Sequence, residues 1–162
     1  MELCTVITVS DRSAAGLRTD VSGPVLAQAL RAGGFEVSVV VVPDGEDSVR
    51  NALRAALAAG ARLIVTTGGT GVGPRDQTPE GTAAVIDRAL PGIAEALRAE
   101  GRQHSAHAAL SRGLAGVVNP TPTSRGALIV NLPGSPKAAK EGGEVLLPLA
   151  GHVLDQLSGG DH

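Results

Sequence analysis

The sequence predicts an α/β sandwich built on a mostly parallel sheet, and three observations predict it. Short β-branched runs alternate with amphipathic helical patterns along the chain, the element order that joins parallel strands through helices. The apolar runs end in loops of Asp, Ser, Gly and Pro, and in open α/β sheets ligands bind outside the carboxyl ends of the strands. The 162 residues are 43% hydrophobic and 19% charged. That describes one globular domain, residues 1–162, burying roughly 70% of its unfolded surface without disulfide or metal staples.

Leu3 to Val9 (LCTVITV) reads as a buried strand that gives way to a polar loop, Ser10-Asp11-Arg12. Ser22-Gly23-Pro24 opens a helix whose Val25, Leu26, Ala29 and Leu30 share one face, stopped by Gly33-Gly34. Phe35 to Val42 is a second strand, closed by Pro43-Asp44-Gly45. Val49, Leu53, Ala56 and Leu57 then mark a helix ending at Gly60. A third strand, Arg62 to Thr67, runs straight into Gly68-Gly69-Thr70-Gly71-Val72-Gly73-Pro74-Arg75-Asp76. Thr78-Pro79-Glu80 has the form of an N-cap followed by a first-turn proline, and helical patterns continue to about Arg102 with a break at Pro91-Gly92. His104 to Arg112 has weaker helical character. Leu114 to Val118 and Ala127 to Val130 read as two more strands. A last helix carries Leu146, Leu149, Val153 and Leu157 inward, and Pro148 is expected to kink or split it.

Composition narrows the function. Phe35 is the only residue of the Phe/Trp/Tyr set, which removes the aromatic platforms that bind single-stranded nucleic acid. A net charge of −2 gives no electrostatic footprint for nucleic acid or an anionic membrane. The single cysteine, Cys4, cannot pair within the chain, and His104, His107, His152 and His162 lack the spacing of a metal cage. With no signal peptide and no apolar run near 18 residues, the expected location is the cytoplasm.

Right-handed crossovers gather the loops after parallel strands at one sheet edge. Ser10-Asp11-Arg12, Asp44, the glycine loop to Asp76, and Pro133 to Lys137 should therefore converge. Gly68 to Gly73 has the G-x-x-x-x-G spacing of a P-loop, but Pro74-Arg75 replaces the Lys-Ser/Thr that must follow. The dinucleotide fingerprint fails too, because its third position falls on Pro74. What remains is a glycine loop between a strand and a helix that can turn backbone N–H groups toward one anion.

Glu46, Asp47 and Glu80 sit in first turns of helices, where a structural role suffices. Asp44 and Asp76 differ, because both leave strands at the expected site edge. Two carboxylates would repel a phosphate unless a cation intervened, and magnesium takes one or two carboxylates plus phosphate oxygens and waters. Of 14 basic residues the only lysines are Lys137 and Lys140, both close to Pro133-Gly134-Ser135-Pro136. Lys137, with Arg112 or Arg75, is expected to add positive charge, whereas Lys140 is expected to pair with Glu141 or Glu144. Ser135 is a candidate both for capping the last helix and for touching a ligand. Gly142-Gly143 is weak helix chemistry with no functional reading.

Thr67-Gly68-Gly69-Thr70-Gly71 with Asp76 and Thr78-Pro79-Glu80, and Leu132-Pro133-Gly134-Ser135-Pro136-Lys137, resemble the molybdopterin-binding domain of molybdenum-cofactor biosynthesis proteins. Val9-Ser10-Asp11-Arg12, Pro43-Asp44, Pro91-Gly92 with Glu95, and Leu110-Ser111-Arg112 are similar to the same family, in the same order, across nearly the whole chain. The resemblance implies a three-layer α/β/α sandwich and a homotrimer or trimer-based assembly. It implies adenylylation of molybdopterin by Mg-ATP, giving adenylyl-molybdopterin and pyrophosphate, with a separate molybdenum insertase receiving the product. By the same resemblance Asp44 and Asp76 are the catalytic acids sharing magnesium. Ser10, Asp11, Gly68, Gly69, Thr70 and Gly71 match positions of the pterin and phosphate site, as do Ser111, Arg112, Pro133, Gly134, Ser135 and Lys137. A carrier of the same pathway that binds molybdopterin without reacting it is the alternative.

Overall fold

The computed structural model describes residues 1–161, so His162 lies outside the described residues. Six strands form one sheet: β1 (Leu3–Val9), β2 (Glu36–Val42), β3 (Leu63–Thr67), β4 (Arg88–Ala89), β5 (Ala115–Val118) and β6 (Ala127–Leu132). Their order is β2-β1-β3-β6-β5-β4. The first four in that order run parallel, with Cys4 opposite both Val37 and Leu63, and Leu63 opposite Leu128. β5 is antiparallel to β6 and to β4.

Period-two alternation gives the central strands β1, β3 and β6 two buried faces, as a sheet covered on both sides requires. Cys4, Val6, Leu63, Val65, Leu128 and Val130 join Leu26, Leu30 and Leu146 in one core cluster. Ile7, Val9, Ile64 and Ile129 join Val49 and Leu53 in the other. The helices α2 (Ser22–Ala32), α5 (Pro91–Arg102) and α6 (Pro136–Leu157) therefore cover the first face, and α3 (Glu46–Ala58) and α4 (Thr78–Ala83) cover the second. This is the expected three-layer sandwich. Cys4 is buried in it, and burial pushes its thiol up to about 12, which leaves it a packing residue.

Four local expectations are corrected. Ser10-Asp11-Arg12 is more than a loop: Ser10 Oγ accepts the Ser13 N–H at 3.2 Å and caps a one-turn helix, α1 (Asp11–Ala14). The helical pattern after Thr78 stops at Ala83, and Arg88–Ala89 turns to pair with Gly116 and Val117 as an edge strand. Pro148 neither splits nor ends α6, which runs unbroken from Pro136 to Leu157. Pro148 and Glu144 are both exposed, so the carbonyl that proline leaves unpaired can be solvated. Gly142 and Gly143 gain a structural reason. A Cβ on Gly142 would stand 2.7 Å from Leu132 Cδ2, and one on Gly143 would stand 2.9 Å from Leu26 Cδ1. α6 lies that close to β6 and α2.

Candidate functional site

Gly68 ends β3 at φ +104°, and a side chain there would collide with the Val9 carbonyl of the neighbouring strand. Gly69 follows at φ +68°, pressed against the Thr78 hydroxyl and Asp44. These left-handed conformations turn the chain sharply without a Cβ penalty. The bend is held from several directions. The Gly68 N–H donates to Leu132 O at 3.0 Å, the Thr67 hydroxyl to Pro133 O at 2.7 Å, and the Thr78 hydroxyl to Gly68 O at 2.9 Å. Thr78 was expected to cap α4; it is instead the first helical residue, with its hydroxyl turned back to the bend. Its N–H donates to Gly69 O and is not open to a ligand. Gly134 packs on the Gly68 backbone, with a hypothetical Cβ only 3.2 Å from Gly68 Cα.

Among the described residues, the N–H groups of Gly69, Thr70 and Gly71 donate no hydrogen bond, and neither do those of Gly134, Ser135 and Lys137. Buried backbone donors are rarely left unpaired, and Thr70 is buried; Gly134, Ser135 and Lys137 are exposed at the start of α6, where the first N–H groups of a helix lack an internal partner. These two runs of unpaired donors flank one place, where the glycine bend meets the start of α6. Ser135 Oγ caps that helix by accepting the Ala138 N–H at 3.2 Å.

The expected arginines behave differently. Arg112 donates through Nε to Gly71 O (2.8 Å), through Nη2 to Asp76 O (2.8 Å) and through Nη1 to Glu80 (2.6 Å). Its planar fork is matched to protein acceptors, so it braces the bend from behind. Arg75 donates to both Asp11 carboxylate oxygens at 3.1 Å and to the Asp44 carbonyl at 2.9 Å. Neither guanidinium is left as a spare charge for phosphate.

Asp11 and Asp44 are tied reciprocally: the Asp11 N–H donates to Asp44 Oδ2 (2.9 Å), and the Asp44 N–H donates to Asp11 Oδ1 (3.1 Å). The hydrogen bonds from Arg75 hold the Asp11 carboxyl below its ordinary value. Burial pushes Asp44 upward, and the nearby Asp11 and Asp76 charges add to the rise. Asp76 Oδ2 accepts the Gly73 N–H at 2.9 Å and lies where Gly71 has no side chain. Each of Asp44 and Asp76 thus commits one oxygen to backbone, and the other, Oδ1, accepts no hydrogen bond among the described residues. Two such oxygens beside an anion-accepting bend suit a hard divalent cation that completes its shell with phosphate and water. No group of three or more acidic, His or Cys side chains placed to hold a metal ion exists among the described residues.

On the other side of the bend lies a cavity of about 340 Å³ between α5, α6 and a short 3-10 turn at Ala106–Leu110. Thr70, Gly71, Ser111, Pro133, Ser135 and Lys137 from the predicted set line it. Ser10, Asp11, Asp44, Asp76, Gly68, Gly69, Arg112 and Gly134 do not line it; Gly68, Gly69, Asp44, Asp76, Arg112 and Gly134 build or abut the bend, while Ser10 caps α1 and Asp11 ties to Asp44 and Arg75. The candidate site therefore has two compartments, one a half-open cavity and one acidic, with the glycine bend as their shared wall.

Sequence reasoning missed the far wall. Glu100, His104 and Glu141 line the cavity, with His104 Nε2 3.2 Å from Glu100 Oε1 and His104 Nδ1 3.7 Å from Glu141 Oε1. The lysine beside Glu141 is Lys137, with Nζ 3.9 Å away, where Lys140 was expected. The i,i+4 spacing of Glu100 and His104 was a readable signal. Asn131 was also missed. It is buried, donates to the Thr66 and Thr82 hydroxyls and accepts the Leu114 N–H, locking β3, α4 and β5 beneath the cavity.

Residues 5–152 match the family described as "Probable molybdopterin binding domain". A "Molybdenum cofactor biosynthesis bifunctional protein" of Synechococcus elongatus is 41% identical over 159 residues, 98% of this chain and 48% of that protein. The chain thus spans about half the length of the bifunctional relatives it matches. A "Molybdopterin adenylyltransferase" of Pyrococcus furiosus is 38% identical over 150 residues, 92% of this chain and 87% of that one. Among solved structures, the molybdopterin biosynthesis Mog protein of Mycobacterium ulcerans superimposes with a TM-score of 0.87 at 42% identity, covering 97% of this chain and 99% of that one.

Proposed function

The chain belongs to the molybdopterin-binding domain family, and from that premise we propose that it transfers an adenylyl group from ATP to molybdopterin. The observation that carries the proposal is the glycine bend, with three unpaired N–H groups between a half-open cavity and the open oxygens of Asp44 and Asp76. The relatives named molybdopterin adenylyltransferase support the reaction class.

In this reading molybdopterin occupies the cavity and places its terminal phosphate at the bend. ATP lies on the acidic side. An oxygen of the molybdopterin phosphate forms a bond to the α-phosphorus, the bond from that phosphorus to the bridging oxygen breaks, and its electron pair leaves with pyrophosphate. The attacking phosphate is largely ionised at neutral pH, so no side chain need remove its proton. The protein has to position two anions and hold the charge that moves between them. The Gly69, Thr70 and Gly71 N–H groups, with those at the start of α6, donate to phosphate oxygens. The Lys137 ammonium adds a mobile positive charge at the same place. Asp44 and Asp76 would hold magnesium brought by ATP, which supplies charge neutralisation at the phosphates. Arg75 and Arg112 keep Asp11, Asp44 and the bend in register.

We also infer that residues 1–162 act as one domain, that the chain assembles as trimers, and that its product passes to a molybdenum insertase in the cytoplasm. The test is pyrophosphate release from Mg-ATP with molybdopterin, beside molybdopterin binding, for the wild type, Asp44→Asn and Asp76→Asn. Release by the wild type alone, with binding intact in all three, supports the transferase. Equal binding without release in any of them leaves a carrier.

A further inference from the structure

The cavity proposed for an anionic ligand contains a carboxylate that phosphate chemistry does not explain. Glu141 is only 19% exposed and points into the cavity from the second turn of α6. Its neighbours Lys137 Nζ and His104 Nδ1 stand 3.9 and 3.7 Å from Oε1, beyond hydrogen-bond range. Among the described residues its carboxylate accepts no hydrogen bond at all. An ionised carboxylate offers about four acceptor sites, so this one, with two cationic neighbours at ion-pair distance, keeps acceptor capacity open toward the cavity. Glu100, by comparison, pairs with His104 one helical turn on, as surface residues commonly do. The neighbouring cavity wall is apolar and small, with Leu97, Ala108 and Leu132. It accepts a flat ring without aromatic stacking.

We propose that Glu141 is the specificity-determining residue for the heterocycle, an inference that rests on molybdopterin being the cavity's ligand. A pterin ring carries a 2-amino group beside a ring N–H, two donors in parallel, and one carboxylate accepts both in a fork. A ring with a carbonyl in place of the 2-amino group presents an acceptor to an acceptor and is rejected.

The test uses pterin (2-amino-4-oxopteridine) and lumazine (2,4-dioxopteridine), read by direct fluorescence titration and as inhibitors of pyrophosphate release. Wild type should prefer pterin by at least about 10-fold, the scale of one charge-assisted hydrogen bond. Glu141→Gln, which keeps the side chain's size, should bring the ratio to within about 3-fold, whereas Glu100→Gln should keep the wild-type ratio. Lys137→Met should weaken molybdopterin binding and leave the pterin/lumazine ratio unchanged. The proposal is overturned by a wild type that does not discriminate, by an undiminished ratio in Glu141→Gln, or by no binding of either compound at millimolar concentration. Intact turnover without discrimination refutes the role of Glu141 alone. Discrimination without turnover refutes adenylylation alone.

Discussion

Replacing Gly69 by alanine tests the bend most directly, with Gly71→Ala as its partner experiment. Gly69 sits at φ +68°, where a residue with a Cβ costs about 1–2 kcal/mol. The new methyl also collides with the Thr78 hydroxyl and displaces its 2.9 Å bond to Gly68 O, worth about 1 kcal/mol. The sum, about 2–3 kcal/mol, corresponds to a melting-temperature fall of about 5–10 °C for a chain of this size. Gly71 has no left-handed φ, and its added Cβ would meet only Asp76 Oδ2, at 2.9 Å. That carboxylate must swing away from the Gly73 N–H, a loss of about 1 kcal/mol largely offset by alanine's smaller unfolded-state entropy. Gly71→Ala should therefore melt within a few degrees of wild type, about the scale of 1 kcal/mol, yet lose turnover through the displaced Asp76. Thermal melts and pyrophosphate release measure both. Equal melting losses in the two variants, or full turnover in Gly71→Ala, would refute the assignment of strain to Gly69 and of function to the Asp76 carboxylate.

Arg112→Lys replaces a fork with a single point donor, so at most one of three short bonds survives; we expect a loss of about 2 kcal/mol and faster hydrogen exchange across residues 68–76. Asp44→Asn keeps an acceptor for the Asp11 N–H while removing a charge that burial, Asp11 and Asp76 all disfavour. A carboxyl raised in the folded state favours folding most when protonated and loses that contribution as pH rises through its folded value. The variant should therefore melt at or above wild type at pH 7, with the gap closing toward acid, while turnover falls by about 100-fold or more. Lys137→Met should leave the melting temperature unchanged, since the side chain is exposed and its Glu141 neighbour is 3.9 Å away, and should raise KM for molybdopterin while weakening its salt dependence.

The parallel half of the sheet was legible because Leu3–Val9 and Leu63–Thr67 are continuous apolar runs that end in polar loops. Convergence of Asp11, Asp44, Gly68 and Gly134 followed from strand direction alone, since loops after parallel strands share an edge. Short elements were not legible. α1 has four residues and β4 two, too few to impose a period, and β4 is fixed by pairing with Gly116 and Val117, distant in sequence. Arg75 and Arg112 read as ligand cations because their acceptors include the backbone carbonyls of Asp44, Gly71 and Asp76, which a sequence does not advertise. The division of the site into two compartments was equally hidden. It depends on which side of the glycine bend each side chain lies, a property of tertiary geometry.

Gly142 and Gly143 set the breadth of the cavity although neither reacts with anything. Their bare backbone lets α6 settle on Leu132 and Leu26, and α6 carries Ser135, Lys137 and Glu141 rigidly with it. A single methyl at either glycine would lift the helix like a shim under a beam, and all three side chains would retreat together from the opposite wall. The gauge of the pocket is thus written in two hydrogen atoms on the helix face turned away from solvent, and a substitution there would retune ligand fit without altering one contacting residue.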